Sequence, residues 1–567
     1  MKEQDVQGTL QFLNETTAGA IGFRGLWHRF EPFTAVGKDL KTSARPFMPG
    51  QEPAFEAEMA VVESALNAWS RQPKTFQRMC GFLAQVKDLR GSIAKSVHGG
   101  LLDTVELYEI KRLCLTVAEL RRTLRESGWP HPDDVMPPAL DDLQAILDPR
   151  GRGDSGFYID ESFSRKLGQV RSEKRQKEKA YREKARALRE AVAAAIGVSP
   201  NFRGEVPVSM ADEAIVEKAA GHPNLAHARD SAGYSYYRVR EDSEARALLD
   251  DLDTLKRQEY REEERVRQKL SREIGIRGSW LSAAMERTGR LDFILAKVRL
   301  AQEFGCVRPQ IADDELALEE GRHPLIEEAL KKRGQQLVPV SISLLHGATV
   351  ITGPNMGGKT VTLKTLGLVV AMAQYGLLVP AKSFRFSLRR FIYFSAMEDS
   401  QTVGLSNFGM EVSNLKPALK RRNERGLILL DELSRGTNPA EGFALSAAVL
   451  RYLRDTNSIT VFATHYDGLA SVEGVAHWQV RGLAGASLSG VTSILSSPDA
   501  GLEWLFKNMD YRLQRAGKEA ETPKDALVVA RLLGLDDELL KLAEGFLNSR
   551  KRVLEVMDSD GRCSKGA

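Results

Sequence analysis

The sequence predicts a multidomain chain: a helical core, then long helical arms around a small β tip, then an α/β domain on a mostly parallel sheet. Three observations predict it. Apolar residues recur at helical spacing through the first 145 residues. Between residues 164 and 274, two long stretches of mixed charge with sparse apolar positions flank short β-like runs. After Glu320, short apolar runs alternate with helical stretches, the pattern of a parallel sheet covered by helices.

At 567 residues the chain is too long for one core. Hydrophobic residues make up 42% and charged residues 28%, an ordinary globular balance. The formal net charge of +4 neither demands nor excludes an anionic partner, so local charge must decide. Cys80, Cys114, Cys306 and Cys563 are scattered, with no C-x-x-C pair, which suits reduced thiols. The opening residues hold no apolar signal core, and no run approaches a membrane span. A cytoplasmic protein without membrane partners is expected.

In order, residues 1–145 read as the helical core, with helical stretches over Glu58–Trp69 and Leu102–Leu124. A Pro/Asp-rich passage at Trp129–Pro138 breaks the pattern. Residues 146–285 hold the arms. The first spans Ser164–Ala195, with Leu167, Val170, Ala180, Leu188 and Val192 among its charges. The second spans Glu244–Ile274, striped by Leu248, Leu252, Leu255, Val266, Leu270 and Ile274. Between them, Glu205–Met210 and Tyr234–Val239 read as β-like pieces, so two antiparallel coiled arms with a β tip are expected. Residues 286–320 return as a helix around Leu291–Phe304. In 321–515, strands are expected at Ala348–Thr352, Phe391–Ala396, Leu427–Leu430 and Ile459–Ala463. Residues 516–567 close with two helices in Pro523–Leu547.

Chemistry concentrates where three of those strands end. Gly353, Gly358, Lys359 and Thr360 fill the pattern G-x-x-x-x-G-K-[ST] between an apolar strand and an amphipathic stretch. Glycines allow backbone N–H groups to turn around phosphate oxygens where a Cβ would clash. The helix that follows adds unpaired donors and the positive end of its dipole. Lys359 reaches β- and γ-phosphates, and the Thr360 hydroxyl binds Mg²⁺; Pro354, Asn355, Met356 and Gly357 complete the loop. Gly426-Leu-Ile-Leu-Leu-Asp-Glu432 is a buried strand ending in two carboxylates. Asp431 suits the Mg²⁺ shell and Glu432 suits orienting and deprotonating the attacking water. Thr460-Val-Phe-Ala-Thr-His465 is a third such strand, and His465 suits sensing the γ-phosphate or positioning water. A lone strand-end histidine often has no role; three strand-end motifs together give it one.

These motifs resemble those of the MutS family of mismatch-repair proteins. Thr352-Gly-Pro-Asn-Met-Gly-Gly-Lys359 is similar to that family's P-loop. Asp431-Glu-Leu-Ser-Arg-Gly-Thr437 is similar to its Walker B segment, Phe462-Ala-Thr-His-Tyr466 to its switch histidine and Gly321-Arg-His-Pro324 to its domain entry. Ser406, in Gly404-Leu-Ser-Asn-Phe-Gly-Met-Glu411, matches the serine loop that reaches the partner subunit's nucleotide. Asn355 matches a residue beside the γ-phosphate. The resemblance implies an ABC-type ATPase domain using ATP and Mg²⁺, with Glu432, His465 and Asn355 as its catalytic groups. It implies a homodimer joined partly through the C-terminal helices, helical levers and a clamp around double-stranded DNA, and a role in repair or recombination.

Two departures narrow that expectation. No segment near the N-terminus resembles the family's Phe-x-Glu mismatch wedge, and about twenty residues follow the last expected helix, which leaves no room for a nuclease domain. Where the family places an adenine-stacking aromatic, this chain has Leu337 or Val338. Two functions remain open. One is an ATPase that clamps mismatched, damaged or branched DNA, supported by the basic face of residues 165–190. The other is an ATP-driven remodeller of a protein client, resembling the reactivase of a cobalamin-dependent lysine aminomutase.

Overall fold

The computed structural model describes residues 11–153, 156–354, 358–395, 407–434, 437–466, 468–483, 504–505, 507–517, 526–532 and 534–547. It is a mixed helical and α/β chain, with three separate sheets among the described residues. Two compact units are distinguished: Phe82–Thr123 with Pro137–Thr288, and Met1–Gly81 with Leu124–Met136 and Gly289–Ala567.

The first unit is dominated by two long helices, Arg165–Ile196 and Ser243–Ile276. The first starts where the Ser164 hydroxyl accepts the Leu167 N–H, and it stops at Gly197 in the left-handed region. Asp242 caps the second through the Ala245 N–H at 2.8 Å. Leu167, Val170, Leu188 and Val192 on one helix, and Leu252, Leu255, Val266 and Leu270 on the other, are buried. The rest of the contact is ionic and runs antiparallel. Lys166 meets Glu262 at 3.1 Å, Arg171 meets Glu259 at 2.7 Å and Glu263 at 2.5 Å, and Lys174 meets Glu259 at 2.6 Å. Lys177 meets Asp251 at 2.6 Å, and Lys184 meets Asp242 at 3.1 Å as well as Glu244. Five of the basic residues in 165–190 thus face carboxylates across the helix pair, whereas Lys179 and Arg186 pair with Glu183 and Glu190 of their own helix.

Between these helices lies a three-stranded antiparallel sheet in the order β1-β3-β2: β1 (Glu205–Ser209), β2 (Leu225–Ser231) and β3 (Tyr234–Val239). Ala232 and Gly233, both at positive φ, join β2 to β3 as a tight hairpin. The sequence reading missed β2 and the helix Glu213–Gly221. After its first residues β2 is exposed, so it lacks the apolar alternation that marks a strand. Val192, Ile196, Val206, Val208, Leu225 and Tyr237 form the small core beneath this sheet.

The second unit carries two sheets. The smaller, in the order β4-β8-β5-β6, comprises β4 (Gln310–Ile311), β5 (Glu315–Gly321), β6 (Val340–Leu345) and β8 (Ser383–Phe386). The larger has the order β13-β12-β7-β11-β10-β9: β7 (Gly347–Thr352), β9 (Phe391–Phe394), β10 (Gly426–Asp431), β11 (Ile459–Thr464), β12 (Ala476–Gly482) and β13 (Asp510–Arg515). All neighbours pair in parallel except β12 with β13. Strands β7 and β11 are buried at every position, as a central parallel strand covered on both faces must be. The helix Lys359–Gln374 lies on this sheet and is buried almost throughout.

An N-terminal segment belongs to the same unit. The Ile392 N–H of edge strand β9 donates to the Phe12 carbonyl at 2.7 Å, and Phe23 and Trp27 pack on Tyr375. A Cβ on Gly367 would meet the Ile21 side chain at 2.8 Å. At the far end of the helix, Gln374 donates to the Phe47 and Arg389 carbonyls at 2.7 and 2.9 Å. Among the described residues, no helix is long and apolar enough to cross a membrane. The described cysteines are free, and burial pushes the Cys80 thiol up to about 11 and those of Cys114 and Cys306 to about 12.

Candidate functional site

Strands β7, β10 and β11 end side by side, Thr352 opposite Thr464 and Asp431 opposite Ala463. The three strands are buried along their length, and the polar residue that ends each, Thr352, Asp431 or Thr464, emerges at the same carboxyl edge, where open α/β sheets hold ligands. After β7 the backbone enters a turn that glycine alone tolerates at two points. Gly353 has φ +152°, and a Cβ there would come within 2.8 Å of Val480. Gly358 has φ +81°, caps the helix Lys359–Gln374, and lies against the Tyr511 ring of β13.

Lys359 begins that helix with its ammonium buried. Its Nζ donates to the Gly353 and Pro354 carbonyls at 2.7 and 3.0 Å, inside the curve of the loop. Burial lowers its pKa, while the Glu432 and Asp431 charges act the other way. The Thr360 hydroxyl donates to Asp431 Oδ2 at 2.7 Å. Asp431 is fixed from behind by its backbone N–H to Ser395 Oγ, also 2.7 Å. Its other oxygen, Oδ1, is buried with no hydrogen-bond partner. Burial raises the pKa of this carboxyl, and the charge of Glu432 adds to the effect. An orphaned carboxylate oxygen beside a hydroxyl and a cationic loop is a donor set of hard oxygens that fits a magnesium ion and the phosphates it bridges.

Glu432 follows directly, in the left-handed region at φ +50°, with its N–H on the Ala463 carbonyl at 2.9 Å. That conformation is costly for a residue with a Cβ and persists where surrounding bonds impose it. His465, one residue past β11, places Nδ1 3.6 Å from Glu432 Oε1 and is partly exposed. Its ring packs on Tyr466, centroids 4.7 Å apart. Gly353, Pro354, Gly358, Lys359, Thr360, Asp431, Glu432 and His465 are therefore brought to one edge of the sheet. Asn355, Met356, Gly357 and Ser406 lie outside the described residues.

Two further residues join this edge that the sequence reading did not single out. Glu411, on the helix Asn407–Lys420, accepts the Ser434 N–H at 3.0 Å; burial raises its pKa and that hydrogen bond opposes the rise. Ser434, like Glu432, is at positive φ, +69°. His477 of β12 meets Thr352 Oγ1 at 2.8 Å and the Gly517 carbonyl at 3.0 Å, pinning the residue before the glycine turn. Glu411 lies in the segment that resembles the serine loop, and only its proximity to Ser434 reveals a task. His477 carries no sequence signal.

Residues 349–485 match MutS domain V. The chain is 25% identical to an Endonuclease MutS2 of Ruminiclostridium cellulolyticum over 558 residues, which covers 94% of this chain and 65% of that protein. It is 29% identical to that of Acetivibrio thermocellus over 73% of this chain and 53% of the relative. Against that of Clostridium botulinum identity rises to 35%, over 45% and 32% respectively. In its longer matches the chain spans roughly half to two thirds of its relatives' length.

Proposed function

This chain belongs to the MutS family, and on that premise we propose that it binds and hydrolyses ATP at the carboxyl edge of strands β7, β10 and β11. The observation that carries the reading is the Thr360 hydroxyl on Asp431, beside the buried Lys359, with Asp431 Oδ1 left without a partner. The loop backbone and Lys359 hold the phosphates, exchanging the Gly353 and Pro354 carbonyls for phosphate oxygens. Thr360 and Asp431 would hold Mg²⁺, which would supply charge neutralisation to the phosphates. Glu432 orients the attacking water and accepts its proton. His465, within 3.6 Å of Glu432, stays close to that water and to the transferred group. Asn355 belongs beside the γ-phosphate. Glu411 acts through the Ser434 turn as a positioning residue for Glu432.

We further propose that hydrolysis runs in a homodimer, each Ser406 completing the partner's site, and that nucleotide state governs a clamp on double-stranded DNA. In this reading the two long helices act as levers and β1–β3 as the clamp tip. The relatives are named as endonucleases, which favours a nucleic-acid substrate over a protein client. No observation specifically supports remodelling of an aminomutase.

The test is turnover together with binding. Purified protein with Mg²⁺ is expected to hydrolyse ATP, and its DNA affinity is expected to differ between ATP-loaded Glu432→Gln protein and the ADP-bound wild type. Equal affinities in the two states would separate the ATPase from DNA clamping; no nucleotide turnover at all would remove the ATPase.

A further inference from the structure

The tip of the long-helix unit holds a surface that the ATPase reading leaves unused. A groove of about 380 Å³ opens between the end of the helix Arg165–Ile196 and the loop 199–204, lined by Arg189, Glu190, Asn201, Phe202 and Arg203 among others. Phe202 is 93% exposed, the most exposed large apolar side chain among the described residues. The loop itself holds it outward. Asn201 Oδ1 accepts the Arg203 and Glu205 N–H groups at 2.9 and 3.0 Å, and its own N–H donates to the Glu205 carbonyl at 2.8 Å.

The charge around this ring differs from that along the helices. There, Lys166, Arg171, Lys174, Lys177 and Lys184 are matched by carboxylates. In the groove the one acid, Glu190, is already held by Arg186 at 2.8 Å. Among the described residues, Arg189 and Arg203 form no ion pair, and the Arg203 guanidinium rests over the Phe202 ring at 5.4 Å. An exposed aromatic face flanked by guanidinium groups that form no ion pair is complementary to a flat base carried on a phosphodiester backbone. A base paired inside a duplex cannot offer its face to such a ring, whereas an unpaired one can.

We propose that this tip loop binds an unpaired nucleotide, Phe202 stacking on the base while Arg189 and Arg203 face its phosphates. The inference rests on the reading that the protein acts on DNA and specifies which part of a DNA structure the tip takes: a single-stranded arm, flap or gap. Phe202 contributes almost nothing to the fold's interior, so its removal separates binding from folding.

The experiment measures affinity of the full chain by fluorescence anisotropy for three probes of equal length: oligo-dT, a forked duplex with single-stranded arms, and a blunt duplex. Each is titrated between about 50 and 200 mM salt. Phe202→Ala is expected to weaken oligo-dT and fork binding by about tenfold, the effect of one unstacked base, and to leave the blunt duplex within about twofold. Arg189→Ala combined with Arg203→Ala is expected to flatten the log–log salt dependence on oligo-dT by about 0.7 for each phosphate no longer neutralised. Phe202→Trp should give tryptophan quenching on oligo-dT and on the fork but not on the blunt duplex, and an unchanged melting temperature in each variant certifies the fold. Equal weakening on all three probes, or none, overturns the tip assignment while leaving DNA binding in place. If the wild type binds none of the probes, the DNA reading fails and this inference with it.

Discussion

The carboxylate of Glu411 accepts the backbone N–H of Ser434 at 3.0 Å, tying the helix that follows the serine loop to the turn that carries Glu432. Glu432 and Ser434 both sit at positive φ, so this turn keeps its shape because its surroundings impose it. Glu411→Ala is expected to lower kcat for ATP by about tenfold or more while the dissociation constant for nucleotide changes little. Glu411→Gln keeps an oxygen acceptor and should restore most of the activity. Equal loss in both variants would mean that the charge, not the hydrogen bond, matters.

Lys359 is the buried cation of the loop. Lys359→Ala removes the charge that faces the phosphates, and nucleotide binding by calorimetry should fall by roughly two orders of magnitude or more. The fold should survive, because among the described residues the buried ammonium bonds only to the Gly353 and Pro354 carbonyls.

Glu432 and Lys359 are expected to separate cleanly in kinetics. Glu432→Gln should bind ATP with near wild-type affinity and turn it over about a hundredfold or more slowly, the usual loss of a general base. Single-turnover hydrolysis at the wild-type rate would remove Glu432 as that base.

Along the long helices, Arg171 bridges Glu259 and Glu263 across the pair. Arg171→Glu sets like charges face to face and should cost about 1 kcal/mol or more in thermal unfolding. Adding Glu259→Arg should recover part of the loss. DNA affinity in low salt should follow the melting temperature rather than the added charge, since these groups face each other.

Glu58 is buried between Lys297, at 2.6 Å, and Arg290. Burial pushes its carboxyl upward, but the Lys297 charge and the Arg290 hydrogen bond outweigh it and bring the pKa down to about 2. A carboxyl whose folded pKa is depressed contributes stability that is complete above its unfolded value, about 4.3, and fades as pH falls toward 2. Glu58→Gln leaves Lys297 buried without a charged partner and should cost about 3 kcal/mol or more at pH 7. The gap between wild type and variant, followed by denaturant unfolding, should narrow as pH drops below about 4.

How much of this was legible in the sequence follows from how local each feature is. Lys359, Thr360, Asp431, Glu432 and His465 are readable because each ends an apolar strand at fixed spacing, and parallel pairing then aligns those ends. Strands β5, β6, β12 and β13 escaped notice. β5 and β6 alternate buried with exposed residues, acids in β5 and serines in β6, and β13 is a largely exposed edge, so none makes the continuous apolar run of a central strand. The lysines and arginines of residues 165–190 are visible in the sequence. For Arg171, Lys174 and Lys184 the carboxylate partners stand some sixty to ninety residues away, and only the antiparallel pairing reveals that these charges are matched.

The bond from Ile392 to the Phe12 carbonyl sets a timetable for biogenesis. At a translation speed of roughly 5–20 residues per second, Phe12 is incorporated about 20–75 s before Ile392. Through that interval Phe23 and Trp27 lack Tyr375, the ring that shelters them in the finished protein. Synthesis thus exposes an adhesive aromatic leader to the cell's holdases before its receiving sheet exists, and severing that leader would bare the β9 flank to strand exchange with other chains.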